Sequence, residues 1–391
     1  MKKLAIISEY NPFHNGHNYI QKKAREITKA DIIISIMSGD FVQRGEASII
    51  DKYKRANSAM ISADMIIEMP SFISLQAANL FAKKNIEILS KLKIDYLAFG
   101  IENINEDEFF YSCKKIFENE DEINKNIKNS LDQGMSYAKA SYLASIKYIK
   151  NNKFFSANNI LALEYQRAIK NLKSNIKAIP IKRLKSMNKD ENLKDDFFAS
   201  SSSIRNNIDK KKIQEYLPKN SYNFLKEFKK EYSFFPNNTF LYELFRYKIL
   251  IEEKNMTDIL CFEEGMDKHL KKIAKESIFY EDFIKNATSQ RFTSSRIKRL
   301  MLNYLLDNKT YLNDIDLNFI KVLAFNENSK LLLRNTDLNV IIQKKDTKKL
   351  NKENKIIYDQ IIRASNLYSL IIGRNLDYDY KKKVSIKKSS F

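Results

Sequence analysis

The sequence predicts an α/β fold in which a doubly wound, mostly parallel sheet is followed by a mainly α-helical domain. Through residues 1–205, short apolar runs alternate with segments of helical spacing, which is the pattern of successive βαβ units. From residue 206 onward, helical spacing dominates. The chain has 391 residues, which is long for one compact domain and suits two or three.

The predicted strands share a short apolar run bounded by polar residues, and they lie at 4–8, 32–37, 65–69, 96–100 and 176–181. The predicted helices between them lie at about 17–28, 51–62, 75–92 and 158–172. Doubly wound sheets bind ligands at the carboxyl ends of their strands. The turns that follow these strands are therefore where we expect a functional site, and residues 1–205 are the expected catalytic domain.

The second half of the chain repeats the helical pattern, at 213–228, 241–253, 266–279, 293–306 and 354–371. This pattern predicts a helical domain over residues 206–380. The lysine-rich stretch 343–353 is expected to be a loop. Residues 381–391 are expected to form a basic, mobile tail.

Composition limits the class of protein. Hydrophobic residues make up 43% of the chain, which is enough for packed cores and argues against wholesale disorder. No run reaches the roughly 18 apolar residues of a membrane span, and the first apolar run stops at Ser8-Glu9, too early for an export signal. Cys113 and Cys261 lie far apart and suggest neither a disulfide framework nor a zinc site. We therefore expect a cytoplasmic protein without membrane contact.

The formal net charge of +20 has two readings. A strong positive charge is typical of proteins that bind a polyanion such as a nucleic acid. The chain is also rich in lysine, asparagine and isoleucine, as proteins from A·T-rich genomes are, and such proteins are basic without binding nucleic acid. Charge alone does not decide between the two.

The most informative motif holds two of the three histidines in the chain, His14 and His17, on either side of Gly16. It follows the first predicted strand and opens the first predicted helix. A helix N-terminus presents free N–H groups and partial positive charge to an anion. Imidazoles there can donate hydrogen bonds to oxygens that gain charge in a transition state. The motif therefore predicts a triphosphate site. A zinc site is the other possibility for two histidines at this spacing, but it would need a third ligand that is not in reach.

Other turns at the strand ends carry polar candidates. Asp40 and Arg44 lie in a glycine-bearing loop after the second strand, which is expected to be either a substrate loop or an ordinary surface loop. Gly100 ends the fourth strand, where it would let a nucleotide approach the backbone or serve only as a turn residue. Asn158 opens a helix, as a cap or as a nucleotide contact. Arg183 follows the fifth strand.

A serine run, residues 200–203, precedes the pair Ile204-Arg205. Hydroxyls and backbone N–H groups of Ser201 and Ser202 would suit phosphate oxygens, and Arg205 would suit the leaving pyrophosphate. Serine runs also occur in plain linkers.

Four cations are predicted on one helix start of the second half, and they are Arg291, Arg296, Lys298 and Arg299. Ile297, Leu300 and Met301 open an apolar stripe on the same helix, so the cations would project from its other faces. Such a group suits RNA phosphates. A solvated basic face is the plainer alternative.

These motifs resemble the nucleotidyltransferase superfamily related to class I aminoacyl-tRNA synthetases, with a Rossmann-like catalytic domain. More closely, they resemble the bacterial tRNA(Met) cytidine acetate ligases. The segments that carry the resemblance are Glu9-Tyr10-Asn11-Pro12-Phe13-His14-Asn15-Gly16-His17, Met37-Ser38-Gly39 through Gln43-Arg44-Gly45, Asn158-Asn159-Ile160-Leu161, Ile181-Lys182-Arg183, Arg291 through Leu305, and Arg363-Ala364-Ser365-Asn366-Leu367-Tyr368.

The resemblance implies a two-step reaction. Acetate attacks the α-phosphate of ATP and gives acetyl-adenylate, and the 4-amino group of the wobble cytidine of elongator tRNA(Met) then takes the acetyl group. ATP would be a substrate, together with Mg²⁺, and no zinc, haem or flavin is expected. His14 and His17 would be the catalytic residues. The implied ATP site comprises Ile7, Ser8, Glu9, Tyr10, Asn11, Pro12, Phe13, His14, Asn15, Gly16, His17, Asn18, Tyr19, Ile20, Gly100, Asn158 and Arg183.

The chain departs from the family pattern at two places. Ala157 stands where a proline is expected before Asn158, and Met187-Asn188-Lys189-Asp190 stands where a histidine-containing segment is expected after Arg183. Whether Asn158 or Asn159 faces the nucleotide stays open. Two other functions also stay open, which are an adenylyltransferase for a small phosphorylated acceptor and a non-catalytic RNA-binding protein.

Overall fold

The computed structural model describes residues 1–149, 151–183 and 198–387. The segment Met187-Asn188-Lys189-Asp190, where the expected histidine is replaced, lies outside the described residues. In chain order the strands are β1 (Lys3–Ser8), β2 (Ile32–Ser38), β3 (Phe41–Val42), β4 (Glu46–Ala47), β5 (Met65–Met69), β6 (Tyr96–Ile101), β7 (Lys177–Lys182), β8 (Phe319–Asn326), β9 (Asn339–Ile341) and β10 (Ser385–Lys387).

The α-helices, again in chain order, are α1 (Asn15–Thr28), α2 (Lys52–Ala59), α3 (Ser71–Ser74), α4 (Ala78–Lys91), α5 (Glu106–Glu118), α6 (Glu120–Asp132), α7 (Tyr137–Ile146), α8 (Ala157–Asn171), α9 (Ser201–Asn206), α10 (Lys219–Tyr232), α11 (Thr239–Leu250), α12 (Met266–Glu276), α13 (Tyr280–Ala287), α14 (Ser294–Leu306), α15 (Lys330–Arg334), α16 (Lys352–Ile371) and α17 (Tyr378–Lys381). None of the helices in the described ranges is long and apolar enough to cross a membrane.

One sheet has the strand order β10-β8-β5-β2-β1-β6-β7, with β9 beside β8, and takes strands from both halves of the chain. All its pairings are parallel except that of β5 with β8. Every residue of β2 is buried, as expected of a parallel strand covered by helices on both faces. The predicted α/β fold with a mostly parallel, doubly wound sheet is therefore confirmed, as is the mainly helical region after it.

The five predicted strands are all present, with ends that shift by one residue or less. Helices dominate after residue 205, as expected, but the region also contains three strands within the described ranges, β8, β9 and β10. Strand β8 inserts an apolar run, Phe-Ile-Lys-Val-Leu-Ala-Phe, next to β5, and its first seven residues are buried. The division at residue 205 thus does not coincide with the edge of the sheet.

The end of the chain also differs from expectation. Residues 381–391 were expected to be a mobile tail, but Ser385–Lys387 pairs with Ala324–Asn326 as a parallel edge strand. The predicted helix 213–228 begins only at Lys219, because Pro218 occupies its N-cap and a 3₁₀ turn, Lys211–Tyr216, precedes it. The expected loop 343–353 contains a second 3₁₀ turn, Lys344–Lys349.

Helices α10–α14 pack around a separate apolar core that includes Phe228, Phe245, Phe283 and Tyr304. This core extends to Phe41 of β3 in the first half of the chain, whose ring meets that of Tyr368 of α16 edge to face. Helix α14 lies against the hairpin β3–β4, where Lys298 pairs with Glu46 and a Cβ atom on Gly45 would lie 2.6 Å from Cβ of Lys298. This placement brings residues from both halves of the chain to one site.

Candidate active site

The turn between β1 and α1 fixes both histidine rings through their Nδ1 atoms. Nδ1 of His14, the N-cap of α1, accepts the backbone N–H of Gly16 at 3.1 Å. Nδ1 of His17 accepts the backbone N–H of His14 at 3.3 Å. An imidazole nitrogen that accepts carries no proton, so each neutral ring carries its proton on Nε2. The remaining donor of each ring is therefore Nε2–H.

The two rings stack on each other, with centroids 3.7 Å apart. The rings of Tyr10 and Phe13 pack against His17, at centroid distances of 5.0 and 5.7 Å. Burial lowers the pKa of His14 well below its usual value, and His17 and the nearby Arg183 lower it further. Burial, with a smaller effect of Arg183, lowers the pKa of His17 to about 3. Both rings are therefore neutral donors at physiological pH.

Gly16 is required by the close approach of the first ring. A Cβ atom at this position would lie 2.9 Å from Cε1 of His14. The glycine thus permits the contact between the Gly16 N–H and Nδ1 of His14 that orients the ring.

A cavity of about 550 Å³ opens at the carboxyl ends of β1 and β6. Its size is in the range of small-molecule and cofactor sites. The residues of the expected ATP site that line it are Ile7, Ser8, Glu9, Tyr10, His14, Gly16, His17, Tyr19, Ile20, Gly100, Asn158 and Arg183. These residues form most of the N-terminal wall of this cavity.

The other residues of the stretch 7–20 are not among the described residues that line the cavity, and they hold the turn in place instead. Asn11 Oδ1 accepts the backbone N–H of Ile49 at 2.7 Å. Asn15 Nδ2 donates to the carbonyl of Glu215 at 2.9 Å, and the Phe13 carbonyl accepts from the Ser221 hydroxyl at 2.6 Å. Asn18 hydrogen-bonds Ser62, and Pro12 joins Asn11 through a cis peptide bond.

Gly100 and Arg183 meet at the second wall of the cavity. A Cβ atom on Gly100 would lie 2.9 Å from Cγ and Cδ of Arg183, so this glycine makes room for the arginine stem. The guanidinium of Arg183 pairs with Glu102, with 3.2 Å between Nη1 and Oε1. The turn role considered for Gly100 is thus not what its surroundings require.

Asn158 and Asn159 have different surroundings. Asn159 is fully buried, and its amide accepts from Glu102 N and donates to Glu102 O, each at 2.8 Å. Asn158 lines the cavity and donates to the Glu102 carboxylate. The geometry therefore leaves Asn158 as the residue available to a ligand, while Asn159 holds the backbone after β6.

The predicted substrate loop divides between the cavity and the interior. Arg44 lines the cavity, and its Nη1 donates to the Ser202 hydroxyl at 2.9 Å. Asp40 does not line the described cavity wall but is buried beside Lys52, at 3.3 Å from its ammonium. Asp40 therefore belongs to an internal charge cluster.

The serine segment lies close to the same cavity. Ser201 lines it, with Ser200. Arg205 donates to the Asn11 carbonyl at 2.8 Å, and its guanidinium lies 3.7 Å from Glu46. Arg205 therefore braces the histidine turn against the β3–β4 hairpin.

The four expected RNA-binding cations are not brought together on one surface. Arg291 and Arg296 both pair with Glu263. Lys298 pairs with Glu46 of β4, at 3.1 Å. Arg299 instead lines the cavity, one turn after Ser295 on the same face of α14.

Several lining residues escaped the sequence analysis, and they are Ile6, Gln43, Ala78, Phe81, Phe99, Ala157, Leu161, Tyr165, Phe198, Ala199, Ser200 and Ser295. Leu161 and Tyr165 follow Asn158 at helical spacing and were open to prediction. Ser295 and Arg299 were not, because nothing local in the sequence indicates that α14 reaches the first half of the chain.

Comparison with known proteins identifies the family of the chain. The HIGH Nucleotidyl Transferase family matches residues 1–383. The tRNA(Met) cytidine acetate ligase of Caldicellulosiruptor bescii is 34% identical over 381 residues, which cover 95% of this chain and 94% of that protein. The protein of the same name from Clostridium botulinum strain Kyoto is 33% identical over 405 residues, covering 97% of each chain.

Two solved structures have the same overall fold. The crystal structure of Thermotoga maritima TmcAL bound with alpha-thio ATP matches with a TM-score of 0.87 and 28% identity, and the apo form matches with 0.89 and 29%. Both alignments cover 100% of both chains. The resemblance found in the sequence is thus confirmed, and the chain belongs to the tRNA(Met) cytidine acetate ligase family.

Proposed function

We propose that this chain is an ATP-dependent ligase that activates acetate as acetyl-adenylate and transfers the acetyl group to the 4-amino group of the wobble cytidine of elongator tRNA(Met). The observation that carries the proposal is the pair of neutral rings, His14 and His17, with Nε2–H donors at the wall of a cavity of about 550 Å³. The relatives are named tRNA(Met) cytidine acetate ligase, which supports the cytidine of tRNA(Met) as the acetyl acceptor.

The first step needs charge stabilisation and no proton transfer. A carboxylate oxygen of acetate attacks the α-phosphorus of ATP, and the bond from that phosphorus to the α,β-bridging oxygen breaks. Pyrophosphate leaves with the electron pair. Displacement at phosphorus depends mainly on positioning and electrostatics. The neutral Nε2–H groups and the guanidiniums of Arg44 and Arg183 can position the phosphates and stabilise their charge. They do so by hydrogen bonding, without transferring a proton to the ligand.

Mg²⁺ would arrive with ATP, bound through phosphate oxygens. Within the described ranges, no group of three or more His, Cys, Asp or Glu side chains is arranged to hold a metal. Phosphate-bound Mg²⁺ that keeps several waters is the usual form at such sites. The asparagine amide of Asn158 and the apolar side chains of Ile20 and Leu161 would face the uncharged parts of the nucleotide.

The second step requires a proton acceptor. The cytidine 4-amino nitrogen attacks the acetyl carbonyl carbon, the bond from that carbon to the AMP oxygen breaks, and the new amide nitrogen loses a proton. Glu9 is the carboxylate among the described lining residues. Burial raises the pKa of Glu9, against the opposing effect of Arg44 and Arg205, which makes it a better base than an exposed carboxylate. A tRNA acceptor also places the reaction in the cytoplasm.

The experiment is the transfer of labelled acetate to RNA. Purified protein receives labelled acetate and ATP with an elongator tRNA(Met) transcript, or with the same transcript carrying uridine at the wobble position. We expect label only in the first RNA, recovered after digestion as N4-acetylcytidine. Label in neither RNA, with ATP–pyrophosphate exchange driven by a different acid or a phosphorylated acceptor, would favour the adenylyltransferase. No ATP chemistry at all would favour the binding protein.

A further inference from the structure

Arg299 of α14 is the cation of the cavity whose charge is least compensated. It lies in the second half of the chain, about 280 residues after the histidine turn, yet lines the same cavity together with Ser295. No ion pair to Arg299 occurs within the described ranges, and its Nε atom is buried without a hydrogen-bond partner. Its polar neighbour is the thiol of Cys261, which burial keeps neutral by raising its pKa.

Two other arginines around the site pair with carboxylates. Arg183 pairs with Glu102, and Arg205 with Glu46. Arg44 contacts the Ser202 hydroxyl and also lines the cavity. A half-buried guanidinium whose Nε lacks a partner and that has no counterion is costly, so a site that retains one is complementary to an anion that binds there. Arg299 satisfies this condition, and the exposed Arg44 is a second cation of the same cavity.

Contacts with the β3–β4 hairpin hold the backbone of α14 in place at Arg299. Gly45, with φ +75°, packs against the helix, and a Cβ atom there would lie 2.8 Å from the backbone nitrogen of Arg299. Lys298 holds the hairpin through its ion pair with Glu46. Helix α14 and the hairpin that carries Arg44 are therefore joined directly at this point.

We propose that Arg299, together with Arg44, binds the β- and γ-phosphates of ATP and hence the pyrophosphate leaving group. This assignment rests on the proposed function, because it assumes that the cavity takes ATP. The planar fork of a guanidinium matches two phosphate oxygens, whereas an imidazole Nε2–H matches one. The histidines then serve the α-phosphate, and α14 contributes to nucleotide binding rather than to the RNA surface expected from the sequence.

The test measures binding without acetate or tRNA. Isothermal titration of the full chain with MgATP, with Mg-pyrophosphate and with AMP compares the wild type with Arg299→Gln, Arg299→Lys and Arg291→Gln. Arg291 is the matched control, because it precedes the same helix but is exposed and paired with Glu263. We expect Arg299→Gln to raise the Kd of MgATP and pyrophosphate by roughly ten- to a hundredfold, as loss of a charged hydrogen-bonding partner does.

The affinity for AMP should change less than about twofold in every variant, and Arg291→Gln should match the wild type. Arg299→Lys keeps the positive charge but loses the planar guanidinium, so it should bind MgATP and pyrophosphate with intermediate affinity. If Arg299→Gln does not fold, this intermediate affinity is the result that supports phosphate binding by Arg299. Unchanged pyrophosphate affinity in Arg299→Gln overturns the proposal, as does an equal loss of AMP and pyrophosphate affinity. In a separate titration with elongator tRNA(Met), weakened tRNA binding by Arg299→Gln together with unchanged ATP affinity would overturn the proposal and return Arg299 to an RNA surface. Failure of acetyl transfer by the wild type would overturn the proposed function alone.

Discussion

Nδ1 of His17 accepts the backbone N–H of His14, while the two imidazole rings stack with centroids 3.7 Å apart. The same atom that orients the second ring is therefore the atom that carries no proton. Two stacked cations at this distance would repel each other strongly. The turn thus holds two neutral rings whose Nδ1 atoms accept from the backbone and whose remaining donors are the Nε2–H groups.

The first prediction concerns the tautomer and pKa of these rings. A two-bond ¹H–¹⁵N spectrum of the apo protein should show both His14 and His17 neutral and protonated at Nε2 at pH 7. On acidification, His17 should titrate only near its pKa of about 3, and His14 also well below pH 6.5. A ring that titrates near pH 6.5, or that carries its proton on Nδ1, would contradict the geometry.

These lowered pKa values also fix the sign of a stability effect. Between about pH 6.5 and pH 3 the unfolded chain binds a proton at His17 and the folded chain does not, and the lowered pKa of His14 acts in the same direction below pH 6.5. The free energy of unfolding should therefore fall as the pH drops through this window. His17→Gln should make that fall shallower, and denaturant titrations at several pH values would measure the slope.

The second prediction separates Asn158 from Asn159. Asn159→Ala removes the two hydrogen bonds between the Asn159 amide and the backbone N–H and carbonyl of Glu102. The loss should lower the free energy of unfolding by about 1–3 kcal/mol. Asn158→Ala should leave stability close to that of the wild type and weaken ATP binding. Urea unfolding and ATP titration of the two variants would show it. A reversed result, with ATP affinity lost at Asn159 in a stable protein, would contradict the assignment.

The third prediction concerns Glu9. Glu9→Gln removes the proton acceptor proposed for the second step. The first step involves no proton transfer and therefore does not need this carboxylate. Acetyl transfer from preformed acetyl-adenylate to tRNA should slow by about 10²-fold, the usual size of a general-base effect. Acetate-dependent ATP–pyrophosphate exchange in the same variant is the control and should change far less. Transfer at the wild-type rate would exclude Glu9 as the base.

The fourth prediction concerns the buried charge cluster behind the site. Lys321 of β8 lies 2.7 Å from Glu68 of β5 and also contacts Asp379, which Lys52 approaches at 2.6 Å. Lys321→Met would leave buried carboxylates short of a partner and should cost roughly 3–5 kcal/mol of unfolding free energy. Lys23→Met, in the exposed pair with Glu26, should leave the unfolding midpoint unchanged. Equal effects of the two substitutions would contradict this.

Local pattern predicted most of the parallel sheet, because strands such as β2 are apolar runs bounded by turns. The histidine turn, Gly100 and Arg183 were predictable for the same reason, since each sits where a strand ends. Strand β8 was missed because it stands alone among helical segments and pairs with β5 across more than 200 residues of chain. Asp40 was misplaced because a loop position does not reveal that Lys52 is buried beside it. Such long-range contacts leave no local signal.

The central claim, adenylation of acetate at the histidine turn, is tested most directly by ATP–pyrophosphate exchange without tRNA. The wild type should exchange label only when acetate is present. His17→Ala should reduce the rate by about 10²–10³-fold, the usual cost of one transition-state donor. His269→Ala, at the third histidine, which contacts the Ala287 carbonyl in the helical region, should exchange like the wild type. Exchange without acetate, or an undiminished rate in folded His17→Ala, would contradict the account.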